Sequence, residues 1–196
     1  SSVYGDSATP PFSEDQRVDQ PRSLYAATKA ANELMAHTYA QLFGLRATGL
    51  RFFTVYGPWG RPDMAPLLFA RAVLAGRPIQ VFNEGRMQRD FTHVSDIVAG
   101  ILGALAHPSS EPVPHRVFNL GNHTPVELER FIDVIEQAAG RPAQKVYKPM
   151  QPGDMVRTMA DTRRAHDAFG YAPQLPIEQG LPPVVAWCRD YFGDRA

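Results

Sequence analysis

Tyr25 and Lys29 stand four residues apart in the stretch RSLYAATKAANELMAHTYAQLFG, residues 22–44. Side chains at that spacing share one face of a helix. An unperturbed tyrosine titrates near pH 10, too high for a base at neutral pH, and bringing it to about 7 means stabilising the phenolate by roughly 4 kcal/mol. A neighbouring ammonium is the strongest local means, and the positive end of a helix adds to it. The pair therefore suits a general base for an alcohol proton. The same two residues also suit a packed tyrosine beside an ordinary solvated lysine.

The elements around the pair decide whether it is held for chemistry. Ser23 suits the N-cap of its helix and Gly44 the residue that stops it. Leu24, Ala27, Ala31, Leu34, Thr38 and Leu42 recur at three and four, which predicts the packing face. Before the helix, SSVYG (1–5) reads as the end of a buried strand and 6–22 as a long loop; after it, RATGLRFF reads as a strand. The loop TVYGPWGRP follows, then a helix over Asp63–Ala75 ended by Gly76. PIQVF and MQRDFTH are predicted strands around NEG, and 94–106 an apolar helix. VFNL is a strand, and TPVELERFIDVIEQAAG a helix with Thr124 at the N-cap, Pro125 at N1 and Glu127 at N3 as a capping box. QKVYKPM reads as a strand, QPGD as a turn, DTRRAHDAFG as a short helix and 176–193 as the last helix. Alternating strands and helices predict an α/β fold. Asp96 and Asp161 read as helix caps.

Twenty basic and twenty acidic residues cancel over the 196-residue chain, so no net field draws nucleic acid or an anionic membrane. The single cysteine, Cys188, excludes an internal disulfide framework and a cysteine metal cluster. His93, His115, His123 and His166 lack metal-ligand spacing. No run approaches the roughly 20 apolar residues that span a bilayer. A cytoplasmic setting is expected.

With these segments in view, the chain resembles the extended short-chain dehydrogenase/reductase superfamily and, within it, the UDP-glucuronate 4-epimerases. The residues that carry the resemblance are SSVYG, YAATKAANELMAHTYA (25–40), LRFFTVYGPWGRPDMA (50–65), GRMQRDFTHVSDIV (85–98), VFNLGN (117–122) and QPGDM (151–155). It implies an α/β chain made of the C-terminal part of a Rossmann-like NAD-binding domain and a smaller α/β sugar-nucleotide-binding domain. The division expected is 1–62 and 63–196, with some later segments returning to the first unit. The implied reaction is NAD-dependent conversion of UDP-glucuronate to UDP-galacturonate through a 4-keto sugar. Tyr25 would take the proton of the 4-hydroxyl, and Lys29 would favour its phenolate and hold the nicotinamide ribose.

The resemblance also places the substrate. Ser1, Ser2, Thr54 and Arg61 would hold the C5 carboxylate. Arg89 would contact the diphosphate, Asp154 the uridine ribose, and Val81 with Phe82 would flank the uracil; Arg157 is a further candidate. Gln151 stands where related UDP-galactose epimerases carry an arginine. The family's Gly-rich dinucleotide loop and a hydroxyl residue assisting the tyrosine align upstream of Ser1, so the chain is expected to be a C-terminal portion, inactive by itself. A homodimer built through the Tyr–Lys helix is implied. Rival readings are a UDP-glucose 4-epimerase, a UDP-glucuronate decarboxylase and a non-catalytic sugar-nucleotide-binding module.

Overall fold

The computed structural model describes residues 1–5, 8–151 and 154–193. Pro152 and Gly153, in the predicted QPGD turn, lie outside them. Helix α1 spans Leu24–Phe43. Ser23 Oγ accepts from the Ala26 N–H at 3.1 Å, and Gly44 ends the helix at a left-handed φ of 63°. Strand β1, Ala47–Phe52, follows, then β2, Thr54–Tyr56, and helix α2, Ala65–Ala75. Strands β3 (Pro78–Phe82), β4 (Gln88–Arg89) and β5 (Phe91–His93) lead into α3, Val94–Ala106. Strands β6 (His115–Leu120) and β7 (Val126–Glu127) precede α4, Leu128–Ala139. Strand β8 (Gln144–Lys148) and helices α5 (Arg163–Phe169) and α6 (Ile177–Phe192) complete the order.

Strand β1 pairs with β6 in parallel, from Ala47 opposite His115 to Phe52 opposite Leu120. Strands β2 and β5 pair in parallel, as do β3 and β8, while β4 and β7 are antiparallel. Parallel pairs joined through helices are the α/β arrangement expected from the alternating pattern. One apolar core packs α2, α4 and α6 against β3 and β5 through residues such as Val73, Val81, Phe91, Phe131 and Leu181. A second joins Tyr4, Phe12, Phe53 and Ala160, and a third joins Ile97, Phe118, Leu120, Ala165 and Tyr171.

Four expectations change. SSVYG is not a strand: Ser2–Tyr4 form a single 3-10 turn, with Val3 and Tyr4 buried and the Tyr4 N–H donating to the Ser1 carbonyl. The Thr124 capping box does not form. Val126 and Glu127 pair with β4, the Leu128 N–H donates to the Met87 carbonyl, and α4 begins three residues later than predicted, with Glu127 at its N-cap. Non-local pairing with β4 outbids a local helix start here. The predicted face of α1 is also corrected. Leu24, Leu34 and Leu42 are 82%, 71% and 67% exposed, and the helix rests on Ala26 and Ala40 instead. Asp96 does not cap its own helix; it accepts from the Gln174 and Leu175 N–H groups, and His93 Nδ1 accepts from the Ser95 N–H in its place.

Gly180 in α6 faces the Tyr56 ring, and a Cβ there would overlap the Tyr56 hydroxyl. That hydroxyl is buried without a hydrogen-bond partner among the described residues. Gly180→Ala is expected to destabilise the fold by roughly 1–3 kcal/mol, the usual range for overpacking. Adding Tyr56→Phe removes the clashing, unpaired oxygen and should recover most of that loss in urea unfolding. A double variant no more stable than the single one would refute this packing account.

Candidate active site

The first turns of α1 present Tyr25 and Lys29 as their spacing predicts, with Lys29 Nζ 5.4 Å from the Tyr25 ring centroid. Tyr25 is 58% exposed. Both residues line a cavity of about 450 Å³ with Ser1, Ser2, Phe52 and Arg51. The Ser1 nitrogen donates to the Phe52 carbonyl at 2.8 Å, which seats the two serines at the end of β1. A phenol, an ammonium and two hydroxyls thus face one space. Such a set can exchange a proton with an alcohol and hydrogen-bond the hydroxyls of a ribose or hexose.

A residue that the sequence reading missed holds this helix in place. Glu33, one turn beyond Lys29, accepts from Arg51 Nε at 2.8 Å and from Nη2 at 2.7 Å. Arg51 is only 7% exposed, and its guanidinium lies 4.8 Å from the Tyr4 ring centroid. The Tyr4 hydroxyl in turn donates to Asn119 Oδ1 at 2.6 Å. Burial pushes the Tyr4 phenol up to about 12, so it stays a donor at neutral pH. A fork-to-carboxylate pair with a ring beneath it fixes both position and angle. The sequence signal was an arginine inside an apolar strand, GLRFF, with a helical glutamate one turn past the lysine.

The remaining candidates are placed elsewhere. The Thr54 N–H donates to the Asp90 carbonyl at 3.0 Å, and β2 carries Thr54 opposite Phe91. Arg61 lines a separate cavity of about 350 Å³ with Phe53, Tyr56, Gly57 and Val94. Its Nε donates to Asp63 Oδ1 at 2.6 Å, and this bond holds the Asp63 carboxyl below the usual carboxylate range. Arg89 and Asp154 do meet: Arg89 Nη2 donates to Asp154 Oδ1 at 2.7 Å, while Arg22 Nη1 donates to the Asp154 carbonyl at 2.7 Å. Burial pulls Arg89 down from its ordinary value, against the opposing pull of Asp154. The Val81 side chain is fully buried in the core, so only Phe82, half-buried at the end of β3, has a ring open to a base. Arg157 Nη2 approaches Met159 Sδ at 3.8 Å. Asp161 accepts from the Arg163 N–H at the start of α5, as a cap would. The structure therefore brings Ser1, Ser2, Tyr25 and Lys29 to one cavity, joins Arg89 to Asp154, and sets Arg61 on its own loop.

Asp90 ties these regions together. Fully buried, it accepts from the Asn122, His123 and Ala160 N–H groups at 2.6, 3.1 and 2.8 Å. Burial raises its carboxyl above the ordinary value against those bonds. Among the described residues no group of three or more His, Cys, Asp or Glu is placed to hold a metal ion. No helix among them is long and apolar enough to cross a membrane.

Residues 1–121 match the model of the NAD dependent epimerase/dehydratase family. This chain is a member of that family. UDP-glucuronate 4-epimerase 1 of Arabidopsis thaliana is 45% identical over 206 residues, covering 98% of this chain and 48% of the relative. The Bacillus cereus UDP-glucuronic acid 4-epimerase, solved with UDP-glucuronic acid and NAD, superposes with a TM-score of 0.89 at 31% identity, over 97% of this chain and 60% of its own. The UDP-glucose 4-epimerase of Thermotoga maritima, solved with UDP-glucose, gives 0.86 at 27% identity, over 97% and 61%. The chain thus spans about half to three-fifths of the length of these relatives. Epimerases of this family depend on NAD, and the residues here fit it: the Lys29 ammonium and the Tyr25 hydroxyl open on a cavity with room for a ribose.

Proposed function

We propose that the protein carrying this chain converts UDP-glucuronate to UDP-galacturonate by inverting C4. The observation that carries this reading is the Tyr25–Lys29 pair facing one cavity with Ser1 and Ser2, in a family member nearly half identical to a UDP-glucuronate 4-epimerase. Tyr25 accepts the 4-hydroxyl proton and later returns it, so the sugar passes through a 4-keto form with no net oxidation. Lys29 favours the Tyr25 phenolate by its charge and holds ribose hydroxyls of the cofactor. NAD, when bound, supplies a reversible hydride acceptor. Arg89 serves the diphosphate, Asp154 the ribose and Phe82 the uracil; Val81 supports that strand from within the core. Because Arg89 is already paired with Asp154, a diphosphate shares its guanidinium with that carboxylate.

Thr54 and Arg61 hold the substrate carboxylate with Ser1 and Ser2. That grip matters chemically: a 4-keto glucuronate is a β-keto acid, and it loses carbon dioxide when its carboxylate bond aligns with the carbonyl π system. Arg61, exposed and bound only weakly by an exposed Asp63, is available to a second carboxylate. The test is product analysis with UDP-glucuronate and UDP-glucose. UDP-galacturonate from the acid supports the proposal; inversion of UDP-glucose alone, or conversion of the acid to a UDP-pentose and carbon dioxide by the unmutated protein, would sink it. Arg61→Ala is expected to let a UDP-pentose appear beside UDP-galacturonate and to raise KM for the acid by roughly tenfold or more, as loss of a charged hydrogen-bond donor does. An unchanged product mixture and KM would remove Arg61 from the site.

Residues 1–62 fit a first unit and 63–196 a second, with β6 returning to pair with β1. The exposed leucines of α1 fit contact with a second copy of the chain, as a homodimer through this helix requires.

A further inference from the structure

The loop that carries Arg61 contains a residue whose backbone its own sequence does not favour. Gly57, Pro58, Trp59 and Gly60 form a turn with proline second and a left-handed φ of 62° at Trp59. Turns of this pattern take glycine or asparagine at that third place, because a Cβ is crowded there. Glycines stand nearby, at Gly57 and Gly60, yet the crowded position is given to a tryptophan. Core burial does not explain it, since Trp59 is 73% exposed.

What Trp59 does touch is helix α6. Its ring centroid lies 5.3 Å from that of Trp187 and 5.0 Å from that of Tyr191, the latter edge-to-face at 71°. Trp187 and Tyr191, one helical turn apart, stack on each other at 5.2 Å and 16°. All three spacings fall in the range where aromatic rings attract. The platform is firm, because Val184, Val185 and Cys188 bury the opposite side of α6 in the core. Phe192 extends it toward α2, with the Arg71 guanidinium 4.2 Å from its ring centroid.

Arg61 has no such anchor of its own. Among the described residues its side-chain bonds go to Asp63 and to Met64 Sδ, both in the same loop. Wherever the loop sits, the guanidinium goes with it. Gly57 keeps one end close to α3, where a Cβ would come within 2.5 Å of Val94, and Met64 opens α2 at the other. Between these ends the Trp59 ring rests on Trp187 and Tyr191 of α6.

We propose that Trp59, Trp187 and Tyr191 form a clasp that positions the Arg61 loop and thereby sets the grip on the substrate carboxylate. Trp187 and Tyr191 are positioning residues: they act through Trp59 on Arg61 and touch no reacting atom. The proposal rests on UDP-glucuronate being the substrate.

The experiment is hydrogen exchange at the amides of residues 59–64, together with steady-state kinetics, on the whole protein as the cell makes it. Trp187→Ala is compared with the ring-preserving Trp187→Phe, and Tyr191→Ala, which removes a largely exposed ring, serves as the second variant. Both alanine variants are expected to speed exchange in 59–64 by roughly tenfold, raise KM for UDP-glucuronate by a similar factor and leave kcat within about twofold. Competition by UDP-glucose, which lacks the carboxylate, should not change, and Trp187→Phe should behave as the parent. Unchanged exchange in both alanine variants would overturn the clasp. Equal weakening of UDP-glucuronate and UDP-glucose, or a fall in kcat alone, would overturn its role toward the carboxylate. Failure of the substrate reading shows separately, as absence of UDP-glucuronate turnover in the unmutated protein, and the exchange data still decide the clasp.

Discussion

Tyr25→Phe is expected to lower epimerase turnover by roughly a hundred- to ten-thousandfold while UDP-glucuronate binding stays nearly unchanged. Removing one oxygen takes away the atom that exchanges the 4-hydroxyl proton and little else. The ring keeps its place on α1 and its contact with Lys29, whose Nζ is 5.4 Å from the centroid. At 58% exposure the tyrosine carries little of the core, so stability should hold. Binding draws on the diphosphate, uracil and carboxylate contacts proposed for Arg89, Phe82 and Arg61, none of which lines the Tyr25 cavity. Calorimetric affinity for UDP-glucuronate beside single-turnover product formation separates the two effects. A parallel loss of affinity would make Tyr25 a binding residue, and retained turnover would remove it as the base.

How far the sequence alone leads can be read from α1. Its ends, Ser23 and Gly44, were legible because capping is local: a side chain and its acceptor lie within a turn of each other. Its buried face was not. Periodicity counts apolar positions but does not say what covers them, and Leu24, Leu34 and Leu42 face outward. The start of α4 failed for a related reason. Thr124, Pro125 and Glu127 satisfy every local rule for a helix start, yet β4 claims Val126 and Glu127 across some forty residues of chain. Long-range pairing of this kind leaves no local trace.

The site divides along the same line. Tyr25 and Lys29 were legible because their relation is one helical turn. Family resemblance marks Arg89 and Asp154 one by one, but they stand 65 residues apart and nothing local in the sequence signals their bond to each other. In the sequence Trp59, beside glycines and a proline, reads as loop; its backbone angle and the rings of α6 give it a reason. Chemistry carried on one element is therefore readable early, and chemistry assembled across elements waits for the fold.

Glu33 and Arg51 belong to the second kind, and breaking them should have the largest effect on stability. Arg51→Met is expected to destabilise the protein by roughly 3–5 kcal/mol, the range for removing one partner of a buried ion pair. The physical cause is the carboxylate left behind: Glu33 is 21% exposed and would lose both guanidinium bonds at once. Glu33→Gln should cost a comparable amount: an amide oxygen still accepts one of those bonds, but the more deeply buried Arg51 guanidinium loses its balancing charge. The double variant Glu33→Gln, Arg51→Met removes both charges and should recover a large part of the single Arg51 loss, giving a coupling energy in urea unfolding. Additive losses would mean that the pair is not an energetic unit. The effect should reach catalysis as well. Glu33 sits one turn past Lys29, so freeing it loosens the helix segment that presents Tyr25 to the cavity. The same variants should then lose kcat under conditions where the protein is still folded, since a small error in the placement of a base carries a large rate penalty. Stability and turnover falling together at this pair, with turnover alone falling at Tyr25, would separate the residue that reacts from the residues that aim it.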